Sequence, residues 1–155
     1  MIKKQKKILK TSGAYVVRND RVLLVWHEKA GLWLAPGGKC GEYETLGQAA
    51  IREVGEETGL VIELRDKFSE QTRSVTDLAQ ELVLPQGSFL IETKFGETQE
   101  EFSFFACVTD DSREGQGEYS QKEMKWCTVW DLEEMNLQED IKKYAIRALD
   151  MLGRK

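Results

Sequence analysis

Gly38-Lys39-Cys40-Gly41-Glu42-Tyr43-Glu44 and, after seven intervening residues, Arg52-Glu53-Val54-Gly55-Glu56-Glu57-Thr58-Gly59-Leu60 form the stretch that decides the fold. The residues between the two runs mark a helix. Thr45 and Gln48 make a capping-box pair, Leu46, Ala50 and Val54 recur at i, i+4 and i+8, and Gly59 supplies the stop. On that helix Glu53, Glu56 and Glu57 stand at i, i+3 and i+4, so their side chains project from adjacent turns toward one patch. Like charges at this spacing weaken an isolated helix, so the cluster asks for a compensating cation. Oxygen-only donors suit the hard ions Mg²⁺ and Mn²⁺, and a single histidine, His27, speaks against zinc.

Working outward, Ser12 to Arg18 and Arg21 to His27 read as a hairpin about Asn19-Asp20. Leu32-Trp33-Leu34 is a short strand stopped by Pro36-Gly37-Gly38. Strands are also expected over 60–64, 81–84, 88–94, 101–108 and 125–129. Residues 68–79 are ambiguous, and the Gly-, Asp- and Glu-rich run from Asp110 to Tyr119 is expected to be an exposed loop. A short helical turn at Asp131 to Met135 and an amphipathic helix at Glu139 to Leu152 close the chain. With strands outnumbering helices and a helix inserted among them, the expectation is an α/β (α+β) sandwich of layers around a mixed sheet.

At 155 residues, 41% hydrophobic and 32% charged, the composition fits one globular domain over 1–155 and not a disordered chain. No apolar run approaches a membrane span, and the basic start, Met1 to Lys7, lacks the apolar core of a secretory signal. Cys40, Cys107 and Cys127 show no metal-ligand spacing and read as reduced thiols, so a cytoplasmic location is expected. A net charge of −5 argues against a general nucleic-acid-binding surface. The lysines of residues 1–10 are the local exception, expected to form a mobile segment.

The chemistry follows from the donors. Magnesium takes a few carboxylates and leaves positions for water and substrate phosphates, which suits attack of water on phosphorus with a carboxylate as general base. Arg52, at i−4 from Glu56, is placed to orient a carboxylate. Glu44 precedes the helix, where its charge favours the N-terminus. Gly37 and Gly38 let the backbone approach closely and aim a carbonyl.

Gly38, Glu44, Arg52, Glu53, Val54, Glu56, Glu57, Gly59 and Leu60 match every fixed position of the Nudix box, G-x₅-E-x₇-R-E-U-x-E-E-x-G-U with U aliphatic. The chain thus resembles the Nudix hydrolases. Trp33-Leu34-Ala35-Pro36-Gly37-Gly38 looks like the family's approach to the box, and Lys125-Trp126 with Asp131 to Met135 like its late strand and short helix. Residues 65–80 carry the resemblance least.

The resemblance implies an α/β/α sandwich and metal-dependent hydrolysis of a nucleoside diphosphate linked to another group. Carried over by position, Glu53, Glu56 and Glu57 are metal ligands, with the Gly38 carbonyl a further candidate, and Mg²⁺ or Mn²⁺ the cofactor. Glu53 is the first choice for general base, Glu56 and Arg52 belong to the catalytic group, and Gly37, Glu44 and Gly59 are structural or orienting. Some family members place the base outside the box. Here Glu118 and Glu123 precede Trp126, and Glu123, nearer that strand, is the one counted with the catalytic residues as a ligand or base. Alternatives are hydrolysis of dinucleoside polyphosphates or RNA 5′ ends, and a non-hydrolytic nucleotide-sensing module, which would be expected to lose box carboxylates that this chain keeps. Many relatives dimerise, so a homodimer is open. The box does not identify the nucleobase or sugar.

Overall fold

The structure, a computed structural model, describes residues 6–154. Alternating apolar residues on either side of Asn19-Asp20 build the centre of the sheet. β1 (Ile8–Arg18) and β2 (Arg21–His27) meet at a turn in which Asn19 takes a φ of 58°, a conformation that Asn tolerates better than most residues. The two strands pair only beside that turn, Val17 with Val22 and Arg18 with Arg21. Further along, β1 pairs with β4 (Gly37–Lys39), placing Thr11, Ser12 and Gly13 opposite Lys39, Gly38 and Gly37. The Pro-Gly-Gly run is therefore more than the expected stop, because its second half is itself a strand.

β2 pairs with β3 (Leu32–Leu34) and β8 (Met124–Cys127). On the other side, β7 (Thr98–Asp110) runs parallel to β1 from Ile8 opposite Thr98 to Val17 opposite Cys107. β7 in turn holds β5 (Val61–Arg65) and β6 (Gly87–Glu92) antiparallel along its two halves. One parallel and several antiparallel pairings make the sheet mixed, as expected.

Alternation along these strands sends side chains to two faces. Ala14, Val16, Leu23, Val25, Phe104 and Ala106 pack on one side with Ala50 and Val54 of α1 (Leu46–Thr58). Burying Val54 and Leu60 almost completely contributes about 2 kcal/mol apiece. Tyr15, Val17, Val22, Leu24 and Phe105 face the other way, toward Leu132 of α2 (Val129–Glu134) and Ile141, Ala145, Ala148 and Leu149 of α3 (Glu139–Leu152). The sheet is thus layered between helices.

Several expectations are corrected. No strand forms at 81–84. The Leu84 amide donates instead to the Asp66 carboxylate at 2.8 Å, and Arg73 Nη1 donates to the Leu82 carbonyl at 3.3 Å, so those backbone groups serve a loop. The last strand ends at Cys127, because Thr128 caps α2 through reciprocal bonds with Asp131. Within the basic segment, Ile8 to Lys10 already belong to β1. The expected mobility of residues 1–5 concerns residues outside those described.

Candidate active site

Helix α1 begins as its capping box dictates. Thr45 Oγ1 accepts from the Gln48 amide at 3.1 Å, and Gln48 Oε1 accepts from the Thr45 amide at 2.9 Å. It ends at Gly59, whose φ of 79° is the left-handed stop and whose amide donates to the Gly55 carbonyl at 2.9 Å. Ser12 of β1 fixes the helix to the sheet by donating from Oγ to the Leu46 carbonyl at 2.7 Å. The orientation of the glutamates follows from these three anchors.

Arg52 is the hub of the site. Nε and Nη2 grip Glu44 side-on, at 3.0 Å to Oε2 and 2.6 Å to Oε1. Nη1 donates to Glu53 Oε1 at 2.8 Å and Glu56 Oε2 at 3.1 Å, and Nη2 also donates to the Lys39 carbonyl at 3.0 Å. One guanidinium thus ties β4, the loop before the helix and two helical turns together. The Arg52 guanidinium, helped by the Gly41 amide, holds the Glu44 carboxyl down to about 2. Glu44 thus holds Arg52 from its place just before the helix.

The three box glutamates lie at different depths. Glu56 is well exposed and Glu53 is mostly covered, while Glu57 is only 7% exposed. Glu57 Oε1 accepts from the Gly37 amide at 2.6 Å. Burial pushes the Glu57 carboxyl up to about 8, with the Gly37 amide opposing and the charges of Glu53 and Glu118 adding to the rise. Gly38 is required by close approach. A Cβ there would stand 2.4 Å from Glu53 Oε2, so the carboxylate lies directly on the Gly38 backbone.

As they stand, no three His, Cys, Asp or Glu side chains among the described residues converge on one ion-sized point. Arg52 holds one oxygen each of Glu53 and Glu56. The residues nevertheless fit a divalent cation. The donors are all oxygen, one Glu53 oxygen is pressed against the Gly38 backbone, Glu57 lies in the field of Glu53, and a single guanidinium serves Glu44, Glu53 and Glu56.

The loop after β7 brings a residue that reasoning from proximity in sequence ranked second. Glu118 is the carboxylate whose charge reaches Glu57. Glu123 is occupied by capping, accepting from Ser120 N at 3.2 Å and Ser120 Oγ at 3.0 Å at the start of a short 3₁₀ turn. The pattern Ser120-x-x-Glu123 is itself a capping-box signal, and both bonds reach the same oxygen of Glu123. The loop is also less exposed than expected, since Tyr119 is buried in the core under α1.

Comparison with known proteins bears on the family and the fold. The family model described as NUDIX domain matches residues 8–149. The chain is 46% identical over 44 residues to an uncharacterized Nudix hydrolase of Bacillus subtilis, a match covering 28% of each chain. It is 36% identical over 66 residues to a putative 8-oxo-dGTP diphosphatase of the same organism, covering 41% of this chain and 44% of that one. The matched stretches thus span less than half of either relative.

Among solved structures, a NUDIX-family hydrolase from Clostridium perfringens superposes with a TM-score of 0.80 at 29% identity, covering 94% of this chain and 98% of that one. A C. elegans Ap4A hydrolase shares the fold, with a TM-score of 0.66 at 18% identity over 94% of this chain and 98% of that one. Because the family match runs from the first residues of β1 into α3, and the box within it is complete, the chain belongs to the Nudix hydrolase family.

Proposed function

We propose that the chain is a Mg²⁺- or Mn²⁺-dependent pyrophosphohydrolase that cleaves a nucleoside diphosphate linked to another group by attack of water on phosphorus. The observation that carries this reading is the division of labour at Arg52. It fixes one oxygen of Glu53 and one of Glu56 and leaves the second oxygen of each uncommitted among the hydrogen bonds of the described residues. Glu53, Glu56, Glu57 and the Gly38 carbonyl would hold the cation, with Glu118 as a further carboxylate from outside the box. A divalent ion bound there supplies Lewis-acid polarisation of a phosphoryl oxygen.

The chain's own residues do the rest. Glu53 Oε2, pressed against Gly38, is the proposed proton acceptor for the attacking water. Arg52 keeps that carboxylate in place, and Gly37 fixes Glu57 through its amide. Among the described residues no helix is long and apolar enough to cross a membrane, and we place the activity in the cytoplasm. The 8-oxo-dGTP diphosphatase relative makes nucleoside triphosphates the first substrates to try.

The test is nucleotide release from nucleoside triphosphates, nucleotide sugars, ADP-ribose and dinucleoside polyphosphates with Mg²⁺ or Mn²⁺. Glu56→Gln removes a ligand charge and should lower kcat about 100-fold or more. Equal turnover by the two proteins, or turnover indifferent to EDTA, would overturn the assignment.

A further inference from the structure

A helix leaves its last carbonyls without partners inside the helix. At the end of α1 these are the carbonyls of Glu56, Glu57 and Thr58, and two of the three belong to proposed ligands. All three are met by one loop that lies far along the chain. The Glu118 amide donates to Glu56 O at 2.9 Å, the Tyr119 amide to Glu57 O at 2.8 Å, and the Gly115 amide to Thr58 O at 2.9 Å. We infer that the loop from Arg113 to Tyr119 is a positioning element for the cation site, and that Gly117 is the residue on which its seating depends.

Gly117 lies flat on the helix end. A Cβ there would stand 2.6 Å from Glu56 O, 2.6 Å from Glu57 C and 2.7 Å from Glu57 O, all backbone atoms that have no side-chain rotation by which to yield. The opposing surface is equally close, since a Cβ on Gly59 would meet Arg113 O at 1.9 Å. Loop and helix therefore touch backbone to backbone, and glycines on both sides make the contact.

The loop is held at both ends. Tyr119 is buried among Val54, Leu60 and Met124, and its hydroxyl lies against the Glu57 carboxyl. At the other end Arg18, stacked 4.1 Å over the Trp126 ring, pairs with Glu114 and with Asp111. A loop gripped in this way sets where Glu118 stands relative to Glu57, and it fixes the last turn that carries Glu56 and Glu57. Position 117 acts through the carbonyls it rests on.

This inference rests on the reading of Glu53, Glu56 and Glu57 as the cation site. It is tested by Mn²⁺ titration of the full chain followed by electron paramagnetic resonance, alongside thermal melting. Gly117→Ala should weaken Mn²⁺ binding at least tenfold. Ile141→Val, which trims the core on the opposite face, lowers stability and should leave Mn²⁺ binding within twofold of the parent. Arg18→Ala frees the far end of the loop without touching the helix and should weaken binding at least threefold.

The parent supplies an arm that needs no variant. The Glu118 and Tyr119 amides should exchange with deuterium at least tenfold more slowly than the amide of Gly96 in the exposed turn before β7. Parent-like Mn²⁺ binding in folded Gly117→Ala or in Arg18→Ala, or fast exchange at residues 118 and 119 in the parent, would overturn the inference. Failure of Glu56→Gln to weaken Mn²⁺ binding would instead strike the site itself.

Discussion

Replacing Arg52 by lysine keeps the charge and removes the fork. The guanidinium makes five hydrogen bonds, to two oxygens of Glu44, one of Glu53, one of Glu56 and the Lys39 carbonyl. An ammonium offers three donors from one point and cannot reach partners spread from β4 to the last turn of the helix. At least two charge-assisted bonds are lost. Such bonds contribute about 1.5–3 kcal/mol each when sheltered. The Arg52 side chain is 36% exposed, which moves each toward the surface value of about 0.5–1 kcal/mol. The expected loss of stability is therefore about 1–2 kcal/mol, or roughly 2–8 °C in Tm for a domain of this size.

The kinetic loss should be larger, because Glu53 and Glu56 are freed to rotate. A misplacement of about 1 Å is enough to cost up to ~100-fold, so kcat should fall about 10–100-fold with KM little changed. Glu44→Gln tests the same hub from the other side. Arg52 and the Gly41 amide depress the Glu44 pKa from 4.5 to about 2. A depressed carboxylate contributes stability that is present above its unfolded pKa and lost as pH falls through its folded one. The gap in stability between parent and Glu44→Gln should be constant above pH 4.5 and close as pH falls toward 2. The assays are thermal melts across pH 2–8 and initial rates with Mg²⁺. The hub is refuted if Arg52→Lys keeps parental kcat, or if Glu44→Gln and Arg52→Lys add without coupling in the double variant.

Two other substitutions probe the walls of the site and the long loop. Gly38→Ala drives a Cβ to 2.4 Å from Glu53 Oε2, so the carboxylate must swing away. Rates should fall at least about 10-fold while the melting curve moves little, and an unchanged rate would show that Glu53 Oε2 is not needed where it stands. Asp66→Asn attacks the anchor of the 66–84 excursion, whose carboxylate accepts from Phe68 N at 2.8 Å, Arg73 Nη2 at 2.7 Å and Leu84 N at 2.8 Å. Burial acts to raise the Asp66 pKa, and these donors outweigh it and hold it below the usual carboxylate value. The anchor should therefore survive at pH values below that of an ordinary aspartate and loosen only as pH falls further. Breaking a buried pair costs about 3 kcal/mol or more, so tryptic cleavage after Arg73 should quicken at least about 10-fold. Equal cleavage rates in parent and variant would show that the loop is held by something other than Asp66.

What the sequence makes legible here is what local chemistry decides. The capping box at Thr45 and Gln48, the left-handed stop at Gly59 and the turn at Asn19 are each fixed by neighbours within a few residues, and each forms where its residues predict. β4 was not legible, because Gly-Gly-Lys has no strand preference. It exists because two glycine backbones can meet: a Cβ on Gly37 would stand 2.7 Å from the Gly13 Cα. The parallel pairing of β1 with β7 spans most of the chain and leaves no local mark. At 81–84 an apolar run suggested a strand, and a distant carboxylate, Asp66, claimed its amide instead.

The same distinction separates the readable part of the site from the rest. Helical spacing places Glu53, Glu56 and Glu57 on one face, and it says nothing about what stands opposite that face. Glu57 is buried because β4 and the Arg113–Tyr119 loop close over it from two sides. Gly37 stands 20 residues before Glu57, and the loop lies far after it, so helical spacing speaks to neither. That enclosure makes an electrostatic demand of Glu53 and Glu57, while Glu56 stays exposed: in water the repulsion among them would be screened to a small term, whereas under cover each must find a donor or a cation. Arg52 serves Glu44, Glu53 and Glu56 with one positive charge, and the Gly37 amide serves Glu57 with a dipole. The excess negative charge that remains is what a divalent ion would neutralise, and the ion would in turn offset the charge of a phosphate-bearing substrate. In the proposed site the box would supply the ligands, and the two elements that cover it would make those ligands hold a cation more tightly than a glutamate-rich surface helix would.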